Sequence, residues 1–159
     1  MPIVTKIEAT LCQVIDDGCL LLQLKSTGRF GEGKWNGPGG KLNREETPEE
    51  GVVREVYEET GLRVSDLKYH GGLYHYFGQE DEPDWLVHIY STKTFTGEIK
   101  GSEEGALKWF RFAAIPYDQM WQDDEYWLPL VLGNKRFTGS FYFNEDGSEL
   151  FRYDLTLLP

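Results

Sequence analysis

GGKLNREETPEEGVVREVYEETGL, residues 39–62, carries a full set of helix punctuation. Thr47 with Glu50 three residues later makes a capping box, Pro48 suits the first helical position, and Gly61 is a C-terminal stop. The segment therefore predicts a helix over residues 47–60. Val52, Val53 and Val56 form its apolar stripe, and Leu62 continues inward. The remaining surface crowds glutamates: Glu55, Glu58 and Glu59 stand at i, i+3 and i+4, which sets their Cβ atoms roughly 5–6 Å apart. In a chain whose formal net charge is −11, such crowding is unfavourable unless something compensates it. One reading is a solvated acidic face, softened by Arg54 pairing with Glu58 at i+4. The other is that these hard oxygen ligands await Mg²⁺ or Mn²⁺ and, behind the metal, phosphate.

Working outward, the preceding stretch KSTGRFGEGKWNGPGGK, residues 25–41, holds six glycines and one proline. It is expected to form no regular element and to suit close backbone approach to a ligand. Upstream, apolar runs over residues 4–15 and 19–24 flank Asp16-Asp17-Gly18, a hairpin signal. Downstream, GGLYHYFG, WLVHIYSTKTF and LKWFRF read as strands, and DDEYWLPLVLG, residues 123–133, as a short helix with Asp caps that Pro129 kinks or delays. RFTGSFYF and ELFRYDLTLL pair across NEDGS as a terminal hairpin. The sum is a mixed sheet with helices packed on it, in one domain over residues 1–159.

With 159 residues, 40% of them hydrophobic, the chain can bury roughly 70% of its unfolded surface. The 27 acidic against 16 basic residues exclude the basic footprint that a nucleic-acid polymer or an anionic membrane requires. Cys12 and Cys19 are its two cysteines, too few for the disulfide framework of a small secreted domain. The N-terminus lacks the pattern of a signal peptide, and no apolar stretch approaches the roughly 18 residues of a membrane span. The expectation is a reduced, cytoplasmic, monomeric protein.

Gly40, Glu46, Arg54-Glu55-Val56, Glu58-Glu59 and Gly61-Leu62 reproduce G-x5-E-x7-R-E-U-x-E-E-x-G-U, the box over residues 40–62 that resembles the Nudix hydrolases at every fixed position. The resemblance implies an α/β/α sandwich, a central mixed sheet with helices on both faces, and metal-dependent hydrolysis of a nucleoside diphosphate linked to another moiety. It implies Glu55, Glu58, Glu59 and the Gly40 carbonyl as ligands of Mg²⁺, for which Mn²⁺ substitutes, and Arg54 with Glu46 as the pair that orients them. Glu104 resembles an additional carboxylate of MutT-like members, with a solvated loop acid as the alternative.

Outside the box the chain resembles the MutT-like branch that hydrolyses oxidised purine nucleoside triphosphates. GEGKWNGPGGK, IPYDQMWQDDEYWLPLVL and KRFTGSFYFNEDGSELFRYDLTLL carry that likeness. It implies that Asn36 hydrogen-bonds a purine, that Trp121 stacks on it, and that Asp123 and Asp124 read its Watson–Crick edge, one of the two protonated. N-capping is the other reading of the Asp pair, and core packing that of Trp121. Thr10, Lys25, Phe30, Tyr74 and Tyr76 are further pocket candidates, with Trp85 near another pocket position. His70, His75 and His88 show no ligand spacing and read as satisfied strand or surface histidines. The expected reaction takes substrates such as 8-oxo-dGTP to monophosphate and pyrophosphate. Normal dNTPs, dinucleoside polyphosphates or capped RNA are alternative substrates, and a noncatalytic nucleotide sensor is an alternative class.

Overall fold

Asp17 and Gly18 take positive φ values of 47° and 75°, the left-handed pair a tight hairpin needs, and turn β1 (Ile7–Asp16) back into β2 (Cys19–Lys25). The computed structural model describes residues 5–28, 31–101 and 105–159. The glycine-rich segment departs from the sequence expectation, because it contains β3 (Trp35–Asn36), paired with β2, and β4 (Gly39–Lys41), paired with β1. Glycine makes this possible: at Gly39, φ 155°, a Cβ would stand 2.0 Å from the Thr10 carbonyl oxygen.

Helix α1 (Pro48–Thr60) begins and ends where its punctuation predicts. Thr47 Oγ1 accepts from the Glu50 amide at 3.2 Å, Glu50 Oε1 accepts from the Thr47 amide at 3.0 Å, and Gly61 closes the helix at φ 82°. There follow β5 (Arg63–Ser65), β6 (Lys68–Phe77), β7 (Trp85–Thr92), β8 (Thr94–Thr96) and β9 (Gly105–Arg111). The chain finishes with α2 (Asp124–Leu132), which keeps Pro129 inside it, and the hairpin of β10 (Arg136–Phe143) and β11 (Leu150–Leu158).

Among the described residues the main sheet runs β11-β10-β6-β7-β1-β2-β3, with β4 on β1 and β9 on β2. Its β1–β7 and β10–β6 pairs are parallel and the others antiparallel, so the sheet is mixed. Each face buries one helix, giving the sandwich expected. On one, Val52 and Val56 of α1 meet Cys12, Val14, Leu21 and Tyr90; on the other, Trp127, Leu128 and Val131 of α2 meet Leu73, Ile89, Phe137 and Phe141. Each such large apolar side chain contributes about 1.5–3 kcal/mol on burial.

A register shift in β6 between Tyr69 and Gly71 leaves His70 as the extra residue of a bulge and sets the phase of the rest of the strand. Leu73, His75 and Phe77 thereby face α2, while Tyr74 and Tyr76 point to the opposite side. Tyr76 stacks there on Tyr142, with ring centroids 4.5 Å apart. His70 is fully buried and satisfied, with Nδ1 2.6 Å from the Lys135 carbonyl oxygen and Nε2 2.6 Å from Ser91 Oγ.

Candidate active site

One turn of α1 and the β3–β4 loop close the lower end of a cavity of about 450 Å³, and the α2 N-terminus closes the upper end. Arg54 organises the acids at the lower end. Its Nε and Nη2 reach both Glu46 oxygens at 2.7 and 2.9 Å, and Nη1 reaches Glu55 Oε1 at 2.9 Å and Glu58 Oε2 at 3.1 Å. A planar five-donor cation is the side chain suited to such a fork. Glu46 also accepts from the Asn43 amide at 2.8 Å, and Arg54 first, then burial opposing and this amide helping, leaves its carboxyl at about 2. The same contacts raise Arg54 above its ordinary value.

Glu55 and Glu59 line the cavity; Glu58 lies beside them with an exposed side chain. Glu59 is buried, its Oε2 accepting from the Gly39 amide at 3.3 Å and its Oε1 3.8 Å from Lys25 Nζ. Gly40 lies against Glu55 so closely that a Cβ would stand 2.8 Å from its carboxylate. Among the described residues no three acidic, imidazole or thiol groups are gathered into a ready cation site, because Arg54 holds Glu55 and Glu58 while Glu59 faces Lys25 and Gly39. The donor set, and the lack of a side chain at Gly40 where its backbone meets Glu55, nonetheless suit a hard divalent ion, which would draw these oxygens together.

At the upper end Asp123 and Asp124 are each 3% exposed. The Asp caps expected of α2 are absent: Asp123 makes no side-chain cap hydrogen bond. Its Oδ2 instead lies 2.9 Å from both Trp127 Nε1 and His75 Nε2. Burial, then the neighbouring Asp123 charge, raises Asp124 well above the ordinary carboxyl range, and its buried Oδ2 has no partner. Trp121 lines the cavity edge-on to Phe77 and Phe143 at 6.2 and 6.0 Å, with Lys34 Nζ 5.5 Å from its ring.

The structure brings Thr10, Lys25, Asn36, Gly40, Glu55, Glu59, Trp85, Trp121, Asp123 and Asp124 to one cavity. Arg54, Glu46 and Glu58 stand next to its acidic end. Tyr74 and Tyr76 do not belong to its wall; the β6 phase puts His75 and Phe77 there instead. His75 accordingly is neither a surface nor a wholly satisfied histidine, since its buried Nδ1 has no partner. Trp127, missed at first, carries a readable signal, being four residues from Asp123 on one helix face. Phe30 and Glu104 lie outside the described residues.

This geometry agrees with what the chain is similar to. An oxidized purine nucleoside triphosphate hydrolase of Danio rerio is 43% identical over 135 residues, covering 84% of this chain and 85% of that protein. One of Mus musculus is 40% identical over 147 residues, covering 92% of each. A MutT protein crystal structure from Bacillus halodurans superposes with a TM-score of 0.84 at 30% identity, over 94% of this chain and 97% of that one. Residues 5–131 match the NUDIX domain, and with the loop, helix and acids of that box assembled at one cavity the chain belongs to the Nudix family.

Proposed function

We propose that this protein hydrolyses oxidised purine nucleoside triphosphates such as 8-oxo-dGTP to the monophosphate and pyrophosphate, acting as a monomer on the cytoplasmic nucleotide pool. The observation that carries the reading is the buried Asp123-Asp124 pair, with an unpartnered Asp124 oxygen, in the same cavity as Glu55 and Glu59. One end offers hydrogen bonds to a base and the other offers oxygens to a metal–phosphate group. The relatives named for this activity, similar over most of their length, support it.

Mg²⁺, with Mn²⁺ able to substitute, would be held by Glu55, Glu58, Glu59 and the Gly40 carbonyl. Bound there, it would neutralise the triphosphate and polarise the attacked phosphoryl oxygen. The chain itself supplies position. Arg54, itself held by Glu46, orients Glu55 and Glu58, from which a metal would draw their oxygens together with those of Glu59. Lys25, on the cavity wall beside Glu59, faces phosphate with a cation. Trp121 offers the base a stacking surface worth about 1–3 kcal/mol. Asn36, whose Oδ1 is engaged by the Gly37 amide at 3.0 Å, has its side-chain N–H groups to donate.

The test is kcat/KM for 8-oxo-dGTP, dGTP, 2-hydroxy-dATP and diadenosine tetraphosphate in Mg²⁺ and in EDTA, with products separated by chromatography. Preference for oxidised purines, with pyrophosphate released only when metal is present, is the expected result. Metal-dependent turnover confined to dGTP or the dinucleotide overturns the substrate, and no turnover of any overturns the enzyme.

A further inference from the structure

His75 is a half-buried imidazole, its side chain 13% exposed, on the wall of the cavity beside the Asp pair and packed between aromatic rings. Phe141, Phe143 and Phe77 stack beside it at 5.8, 6.1 and 6.5 Å, so they offer it no polar partner. Its Nε2 meets Asp123 Oδ2, and its Nδ1 meets nothing. A proton on Nδ1 would be a buried donor without an acceptor, whereas on Nε2 it has a carboxylate to meet. The imidazole proton therefore belongs on Nε2. Trp127 Nε1, which can only donate, reaches the same oxygen. Two N–H groups converging on Oδ2 fix that oxygen of Asp123 as an acceptor.

Two adjacent carboxyl groups buried together share a single negative charge more readily than they carry two. With Asp123 supplied with donors, the proton resides on Asp124, in agreement with the upward displacement that burial and the Asp123 charge give it. The base then meets an ordered pair, an acceptor at Asp123 and a donor at Asp124. A 6-oxo purine fits that order, since O6 accepts and N1–H donates. A 6-amino purine in the same seat turns N6–H toward Asp124, where no second donor is wanted.

We propose that His75 is a positioning residue that holds Asp123 as the acceptor and leaves Asp124 as the donor, so that the pocket selects 6-oxo over 6-amino oxidised purines. This rests on the function proposed above. Without the imidazole the proton can pass to Asp123, and the pair can adapt to either edge.

The experiment measures kcat/KM for 8-oxo-dGTP, 2-hydroxy-dATP and dTTP in the wild-type protein, His75→Phe and His75→Gln. Phenylalanine keeps the aromatic packing and removes the donor; glutamine returns an N–H near the Nε2 position. The wild-type protein should favour 8-oxo-dGTP, His75→Phe should reduce the ratio of the two oxidised purines by about tenfold or more, and His75→Gln should restore most of it. Because the ratio is taken within each variant, a general loss of folded protein cancels, and dTTP turnover reports it separately. An unchanged ratio in His75→Phe, or a wild-type preference for 2-hydroxy-dATP, overturns the role of His75 while leaving the hydrolase reading standing. A His75→Gln variant that behaves as His75→Phe does also overturns it. Wild-type turnover of neither oxidised purine overturns the hydrolase reading, and the role of His75 falls with it.

Discussion

Gly40→Ala separates activity from stability. The added Cβ would lie 2.8 Å from the Glu55 carboxyl carbon and Oε2 and 2.9 Å from Oε1. Ordinary contact requires about 3.5 Å, so Glu55 must withdraw by about 0.6 Å or more. What it strikes is the far end of a flexible side chain, and the rotamer adjustment costs about 0.5–1.5 kcal/mol. For a chain of this length that lowers Tm by only about 1–6 °C. Catalysis is less tolerant, because displacing a positioned group by the order of 1 Å costs about 10²-fold. The expected result is a folded protein whose kcat/KM for 8-oxo-dGTP in Mg²⁺ falls by about 10²-fold, mostly in kcat. Gly39→Ala is the contrasting variant. Its Cβ would meet backbone, 2.0 Å from the Thr10 oxygen and 2.8 Å from the Leu11 Cα, which cannot swing away. It should lose about 3 kcal/mol or more of stability. A Gly40→Ala protein with activity within threefold of wild type would refute the reasoning, as would a melting point as low as that of Gly39→Ala.

Glu58→Gln should abolish metal-dependent turnover with Tm unchanged within about 2 °C, since its side chain is 56% exposed; undiminished kcat would remove Glu58 from the ligand set. Glu46→Gln tests its pair with Arg54 through pH. A carboxyl held at about 2 in the folded state and near 4.5 when unfolded contributes stability that is complete above 4.5 and lost as pH falls through 2. With screening at this partly open position, about 1–2 kcal/mol is expected at pH 7. Denaturant titrations in EDTA should show that gap between wild type and Glu46→Gln closing between pH 4.5 and 2; a gap independent of pH would rule out the ion pair as its source.

Local chemistry made much of this protein legible in its sequence. The limits of α1 follow from Thr47, Glu50, Pro48 and Gly61, each acting on backbone groups within a turn of itself. The β1–β2 turn follows from Asp17 and Gly18 in the same way. The acids of α1 share a face because helical period alone puts them there. These readings needed no distant partner. The strands within the glycine-rich segment were not legible, because two- and three-residue ladders acquire their pairing from β1 and β2 rather than from their own composition.

The wall of the cavity beside the Asp pair belongs to the tertiary structure. In YHGGLYHYF, aromatic rings stand on both phases of the strand, so alternation cannot say whether residues 74 and 76 or 75 and 77 point inward. The bulge at His70 settles that phase, and it forms only where β6 meets β7. Asp123 likewise reads as a helix cap when only its own helix is considered, yet its carboxylate turns to His75, 48 residues away in sequence. Sequence by itself determined which residues could form a helix, a turn and an acidic face, because those depend on neighbours along the chain. Which side chains meet across the cavity depended on sheet register, a property of pairs of strands, and only the folded structure decided it.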